Sequence, residues 1–288
     1  MESKTPRLRH VKGSVFWVVC GLALAAIIAP AIAVVVSVLV KAAPALKWSL
    51  FTNTTGNIQN PGLQNAILGT LVLAVGVVVV AGSIGVLGGI YLAEFAPRRG
   101  GGFLRFFSEV LAGVPSIVIG LVAYTAFVEA LHWGFSVLSA IIALSLLTLP
   151  YIIKTTEVSF SQVPRSLREA SIALGLSKIT TIRKVLLPPA LPGIISGMVI
   201  ALAISTGETA PLLYTASFSQ NNPTPGLFNN PIGYLTYVTY YYVGQPGAQD
   251  QALASAAAGV TILLVLLLIF GGRAVTARQR RLMARIDV

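Results

Sequence analysis

Charge, cysteine and histidine are all scarce in this sequence. Charged residues make up only 10% of the 288 residues, whereas apolar residues make up 55%, so a soluble domain would lack the charged surface that water requires. The single cysteine, Cys20, excludes a disulfide within the chain. The two histidines, His10 and His132, lie far apart without clustered acidic or thiol residues, which argues against a metal site. These shortages favour a membrane protein.

Six apolar runs are long enough to cross a bilayer, which takes roughly 18–20 residues each. We therefore expect an all-α integral membrane protein with six transmembrane helices. The third and fourth runs could form a re-entrant pair, although their combined length favours two crossings. The first run imitates a signal peptide around Ala31, but it continues to Val40, which favours an uncleaved span. The runs cover about 15–40, 66–95, 108–130, 134–153, 191–213 and 252–272.

The basic residues are distributed very unevenly between the two sides that these runs define. Eighteen of the 20 Lys and Arg lie in the two tails and in the loops after the second and fourth runs, and only Lys41 and Lys47 lie on the other side. The positive-inside rule then places both termini in the cytoplasm, in agreement with an even number of spans. The net charge of +11 therefore indicates topology and contact with anionic membrane lipids, and we expect no nucleic-acid partner.

Two longer segments are expected on the external side, at about 41–65 and 214–251. The tyrosine-rich part of the second, IGYLTYVTYYYVG, fits a short interfacial helix or a strand. Its aromatic residues suit the lipid headgroups or a docking surface for an external partner, and both interpretations stay open. In the second run, Ala81, Gly85 and Gly89 recur at four-residue spacing, which predicts close approach of another helix.

The cytoplasmic segment 165–189 has the pattern of two short helices around a turn. Ser166 and Glu169 fit a capping box at the start of the first helix. Gly175 suits a left-handed helix end, and Ser177 can cap the second helix. The apolar faces would hold Leu167, Ala170, Ser171 and Leu174 in the first helix, and Ile179, Ile182 and Leu186 in the second.

Three prolines mark the end of this segment. Pro188 and Pro189 are expected to stop the second helix, and Pro192 to open the next span. On these grounds alone, the segment could equally be an ordinary amphipathic loop that rests on the lipid headgroups.

The spacing within the segment is more specific, because it resembles the cytoplasmic signature of ABC importer permeases. That signature is Glu-Ala-Ala, three further residues, Gly, nine residues, Ile, any residue and Leu-Pro. Here Glu169-Ala170-Ser171 precedes Gly175, and Val185, Leu187 and Pro188 follow, so Ser171 and Val185 depart from it. The resemblance implies a coupling helix that sits in a groove of an ATPase subunit. The residues that it assigns to coupling are Arg168, Glu169, Ala170, Ser171, Ala173, Leu174 and Gly175.

The fifth run carries an ionisable residue, Glu208, which at membrane depth is a candidate for function. Ser205 and Thr209 would share its helical face, and Pro211 would leave the Gly207 carbonyl without its usual partner. A locally polar and kinked span of this kind should face a cavity or another subunit. The alternative is a packing glutamate that bonds to a neighbouring helix or stays protonated.

Two stretches resemble the permease of the phosphate-specific ABC transporter. They are GETAPLL, which runs from Gly207 to Leu213, and LAGVPSIVIGL, which runs from Leu111 to Leu121. The resemblance implies a type I ABC importer permease that imports inorganic phosphate. It also implies a single permease domain over 1–288, with its core at 66–272. The residues assigned to the translocation path or gate are Ser205, Thr206, Gly207, Glu208, Thr209 and Pro211.

The same resemblance implies partners and leaves the chemistry of ATP to them. They are a second permease (PstC-type), a dimer of ATPase subunits (PstB-type) and an extracytoplasmic phosphate-binding protein (PstS-type). This chain lacks the phosphate-binding loop G-x-x-x-x-G-K-[ST], so ATP and Mg must bind the ATPase. We therefore expect no cofactor and no enzyme activity in this chain.

One position departs from the phosphate permeases, because Ile204 stands where they are expected to carry an arginine. A carboxylate repels a phosphate anion unless it is paired or protonated, so the hypothesis is that Glu208 pairs with an arginine of the partner permease. Three alternatives are a proton-coupled carrier that uses Glu208 as its relay, an ABC permease for sulfate or molybdate, and a structural membrane protein. This sequence shows none of the internal repeats that proton-coupled carriers often have, which argues against the first alternative.

Overall fold

The computed structural model describes residues 5–96 and 98–283, and within them the chain forms helices and connections without a strand. A helix satisfies its own backbone groups, which lipid cannot do, so the all-α prediction is confirmed. The side chains of residues 5–12, 98–100 and 279–283 are not described. The helices are α1 (Thr5–Ala42), α2 (Trp48–Thr52), α3 (Gln64–Glu94), α4 (Arg98–Gly113), α5 (Ser116–Ala130), α6 (Val137–Ser161), α7 (Arg165–Ala173), α8 (Lys178–Gly207), α9 (Ala210–Thr215), α10 (Leu235–Tyr242) and α11 (Ala248–Met283).

Five of these helices are long and apolar enough to cross a membrane, namely α1, α3, α6, α8 and α11, and a sixth span results if α4 and α5 count as one. The third predicted span, about 108–130, is present but bent, because α4 and α5 meet at an angle of 102°. Pro115 lies at this break, where its missing N–H cannot continue the hydrogen bonds of α4. Its backbone is extended (φ −56°, ψ 136°), and a proline disfavours helical geometry in the residue before it.

Helix α6 is central to the packing of the described helices. The neighbouring helices α3 and α8 approach it closely because they carry glycines where they contact it. An added Cβ at Gly85 of α3 would lie 2.7 Å from Ile152, and one at Gly197 of α8 would lie 1.9 Å from Thr155. Ala81 is fully buried in the same core, so the predicted close approach along α3 is confirmed. Small residues at such positions allow van der Waals packing, which drives helix association in lipid.

Helix α8 continues through the prolines that were expected to separate two helices. It runs unbroken from Lys178 to Gly207, so the predicted stop at Pro188 and Pro189 and the predicted start at Pro192 are wrong. A π-helical stretch, Thr181–Leu186, directly precedes the prolines. Such local π adjustments re-satisfy backbone groups that prolines leave free.

The two external segments pack against each other and against the ends of the spans. Asn65 ties them together, because its Nδ2 donates to Thr55 Oγ1 at 3.0 Å and to the Ser219 carbonyl at 2.8 Å. The tyrosine-rich stretch forms the helix α10 rather than a strand, and its Leu235 and Val238 are fully buried. The external segments are thus built into the fold of the described residues.

Candidate functional site

The turn of the cytoplasmic segment forms as the sequence predicts. Helix α7 ends where Gly175 adopts a left-handed conformation (φ +69°). The Gly175 N–H donates to Ile172 at 2.9 Å and the Leu176 N–H donates to Ser171 at 3.1 Å, which is the Schellman pattern. Ser177 then caps α8, because its hydroxyl accepts the Thr180 N–H at 3.3 Å.

The start of α7 differs from the prediction. The helix begins at Arg165 and follows Pro164, which makes no side-chain capping bond, so Ser166 lies inside the helix and the expected capping box is wrong. Proline holds its own φ near the helical value and favours an extended residue before it. Pro164 is extended (ψ 138°), and the helix starts at the next residue without a capping side chain.

The residues of the two predicted apolar faces are only partly buried in the structure. Ser171 is buried and its hydroxyl donates to the Leu167 carbonyl at 2.7 Å, whereas Ile172 and Leu174 are 74% and 78% exposed. In α8 the apolar side chains of Ile182 and Leu186 are buried, but Ile179 is exposed. The exposed residues at the turn are Glu169, Ala170, Ile172, Ala173, Leu174 and Gly175, and we call this set the cytoplasmic tip.

Arg168 does not belong to the cytoplasmic tip, although the resemblance groups it with those residues. Its side chain points toward the transmembrane helices, where it forms an ion pair with Glu94 at 2.7 Å. Only 25% of the Arg168 side chain and 11% of the Glu94 side chain are exposed. Arg168 therefore binds the segment to the rest of the chain.

The polar stretch of the fifth run is a complete break between two helices. Helix α8 ends at Gly207, Glu208 is extended (φ −75°, ψ 138°), and α9 begins at Ala210 with Pro211 in its first turn. Proline is common in the first turn of a helix, because an N–H at that position would have no acceptor within the helix. The prediction of Glu208 and Thr209 on one helical face with Ser205 is therefore wrong, since neither residue is helical.

This break meets the break between α4 and α5, so the two stretches that resemble phosphate permeases lie together. The Ser116 side chain is a neighbour of the Glu208 carboxylate. Gly120 packs directly on Pro211, where an added Cβ would lie 2.6 Å from Cα. The Thr236 hydroxyl donates to the Glu208 carbonyl at 2.8 Å. We call this meeting point the double break.

A small cavity lies beside the double break, lined by both apolar and polar residues. Its volume is about 10 Å³, which is room for roughly one water molecule. The hydroxyls of Ser205 and Thr206 line it but donate to the Leu202 carbonyl of their own helix at 3.0 and 2.8 Å. Ile204 lines a different cavity, between α8 and α11. The polar residues around the small cavity are Thr70, Ser205, Thr206, Tyr234 and Thr236.

Three of these residues, Thr70, Tyr234 and Thr236, were not anticipated from the sequence. They come from α3 and from the external segment before and within α10, and only the fold brings them to α8. The Tyr234 hydroxyl is buried and has no hydrogen-bond partner among the described residues. Burial raises the pKa of this phenol, so at neutral pH it remains a hydrogen-bond donor.

The described residues thus combine five or six spans, two broken helices and a projecting cytoplasmic turn. The fold is that of type I ABC importer permeases. A chain of the MetNI methionine ABC transporter, solved in inward-facing conformations, superposes with a TM-score of 0.57 at 21% identity over 76% of this chain and 94% of that one.

Sequence comparison specifies the family within this class. Residues 85–282 match the family described as binding-protein-dependent transport system inner membrane component, and the chain belongs to this family. The phosphate transport system permease protein PstA 2 of Mycobacterium bovis is 45% identical over 274 residues, 95% of this chain and 90% of that protein. The PstA protein of Yersinia pestis is 36% identical over 85% of this chain and 83% of its own length. The chain is thus a multi-pass protein of the plasma membrane.

Proposed function

We propose that this chain is the membrane-spanning permease subunit of an ABC importer for inorganic phosphate. The observation that carries the proposal is the 45% identity to a phosphate transport permease over 95% of the chain. The chain forms the path with a second permease, receives phosphate from an external binding protein and is driven by separate ATPase subunits. ATP and Mg bind those subunits, and this chain acts without a cofactor.

The cytoplasmic tip is the surface that we propose for the ATPase. Ile172 and Leu174 expose most of their apolar surface beside the charged Glu169. A purely apolar ridge could be covered by lipid. The basic residues of this loop, however, place the cytoplasmic tip in the cytoplasm. Exposed apolar side chains beside a charged residue are there suited to bind a groove of another protein. The left-handed Gly175 sets the angle at which the tip projects.

The double break is the part of the chain that we propose as the gate. In transporters, discontinuous helices commonly line the substrate site because their free backbone groups and helix ends can face the substrate. Here the adjoining cavity of about 10 Å³ is far too small for a phosphate ion, so this cavity is not itself the path. We propose that Glu208 pairs with an arginine of the second permease and controls opening, because an unpaired carboxylate would repel phosphate.

The test is reconstitution of the assembled transporter in proteoliposomes. The chain is co-purified with candidate permease and ATPase partners, and uptake of radiolabelled phosphate is measured with and without ATP. We expect uptake that requires ATP and the binding protein. Sulfate and molybdate, offered at the same concentration, are the control for substrate class. Uptake driven by a pH gradient without ATPase would instead identify a proton-coupled carrier.

A further inference from the structure

Three basic side chains from three different helices converge on the cytoplasmic end of α3. The Arg168 guanidinium donates to the Glu94 carboxylate, with Nη2 at 2.7 Å. Lys178 donates to the Glu94 backbone carbonyl at 2.6 Å and lies 4.1 Å from the centre of the Phe95 ring. Arg105 donates to the Leu92 carbonyl at 3.1 Å. Carbonyls at a helix end lack partners within the helix, and cations there are favourable.

Arg168 also binds the end of a second transmembrane helix. Its Nη2 donates to the Phe160 carbonyl and its Nη1 donates to the Val163 carbonyl, both at 2.7 Å, so one guanidinium joins α7 to the ends of both α3 and α6. A lysine could not reproduce this arrangement, because its ammonium lacks the planar fork of donors. Arg168 and Lys178 flank the turn at Gly175, so both sides of the turn hold the end of α3.

Helix α3 connects this junction with the double break. Glu94 lies at its cytoplasmic end, whereas Thr70, near its external end, lines the cavity next to Ser205 and Thr206. The two residues are 24 positions apart in the sequence, which corresponds to about 36 Å along a helix. The Thr70 hydroxyl also accepts the Leu235 N–H at 3.1 Å, so the external end of α3 is bonded to α10.

We infer that the Arg168–Glu94 ion pair is the tie through which the cytoplasmic segment moves α3, and that α3 carries this movement to the double break. The inference rests on the proposed function. It assigns Arg168 and Glu94 as positioning residues that act inside this chain, because their paired groups face each other and not the surface on which an ATPase would dock. Without the tie, movement of the segment would reach α3 only through the Lys178 contact and through the packing of α3 on α6, which are less direct than a bond to the Glu94 side chain.

The first test neutralises each partner in the assembled transporter. Arg168→Gln, Glu94→Gln and the double variant are reconstituted, and phosphate uptake is measured per ATP hydrolysed. We expect each single change to lower this ratio about tenfold, within the 5- to 150-fold range of typical coupling between sites, and the double variant to be no worse than either single one. Co-purification with the ATPase and ATP hydrolysis should persist. A purely structural role would instead lower assembly and both activities together.

The matched control is a second ion pair that lies on the protein surface. Lys154 and Glu109 are 3.7 Å apart, with side chains 57% and 68% exposed, so we expect Lys154→Gln to leave uptake per ATP unchanged. Equal ratios in the unmodified protein and in the Arg168 and Glu94 variants would overturn the inference while leaving the proposed function intact. Absence of ATP-driven uptake in the unmodified transporter would overturn both.

The second test asks whether a covalent link can replace the ion pair. Cysteines replace Glu94 and Arg168 in a chain that carries Cys20→Ala, and a flexible bifunctional thiol reagent joins them. A tie that stays closed during transport predicts that cross-linking raises uptake per ATP toward the unmodified ratio, and that single-cysteine chains treated with the reagent gain nothing. Cross-linked transporters that assemble but do not gain uptake would contradict the inference.

Discussion

The cytoplasmic tip and the double break differ in what holds each of them in place. The tip is shaped by contacts within its own segment, Arg165–Ser177. These are the left-handed Gly175, the Ser177 cap and the two hydrogen bonds of the Schellman pattern. The double break is assembled from distant parts, since Ser116, Glu208 and Thr236 come from three separate regions. A local structure suits a surface that must keep its shape against a partner, whereas a break held by tertiary contacts can open when its helices move.

The largest effect is expected at the glycine that shapes the tip. Gly175 has φ +69° and open space around its Cα, so substitution there acts through the backbone and not through a clash. A β-branched residue disfavours this conformation strongly, whereas asparagine tolerates it. We expect Gly175→Val to abolish ATP-driven uptake without preventing membrane insertion, and Gly175→Asn to keep much of it. Similar uptake by the two variants would show that the left-handed turn is dispensable.

The next effect concerns the carboxylate of the double break. If Glu208 is a paired gate, then Glu208→Gln should lower phosphate uptake about tenfold, since a hydrogen bond to a charged group contributes roughly 1.5–3 kcal/mol. Glu208→Asp keeps the charge and should recover part of the loss. Uptake and stimulated ATP hydrolysis are measured in the same vesicles. Unchanged values of both in Glu208→Gln would refute the gating role.

The contrast between the two regions also explains what sequence analysis could reach. Gly175 and Ser177 act on their own neighbours along the chain, so their turn and cap were predictable from residue type and spacing. The partners of Glu208 and Arg168 lie far away in sequence, with Glu94 separated from Arg168 by 74 positions. Such contacts leave no periodic signal. Likewise, the prolines of α8 signalled a helix end, but the adjacent π-helical stretch let the helix continue.

A smaller effect is expected where the two broken spans pack together. A methyl group at Gly120 would lie 2.6 Å from the Pro211 Cα, so Gly120→Ala must push α5 away from α9. Such overpacking typically costs about 1–3 kcal/mol. We expect a lower melting temperature in detergent and a several-fold loss of uptake. Gly271→Ala, where nothing lies within 4 Å of the added methyl, is the matched control and should retain both.

The smallest effect is expected at Ser171, where the sequence departs from the ABC permease signature. Its hydroxyl bonds back to the Leu167 carbonyl of its own helix, a contact that slightly weakens helices, and alanine has a higher helix propensity by about 0.5 kcal/mol. Ser171→Ala should therefore leave uptake unchanged and leave the melting temperature equal or slightly higher. Because the residue is only 2% exposed, Ser171→Leu should destabilise α7 and reduce ATPase co-purification. A clear loss of uptake in Ser171→Ala would show that this hydroxyl has a role beyond filling its place in the helix.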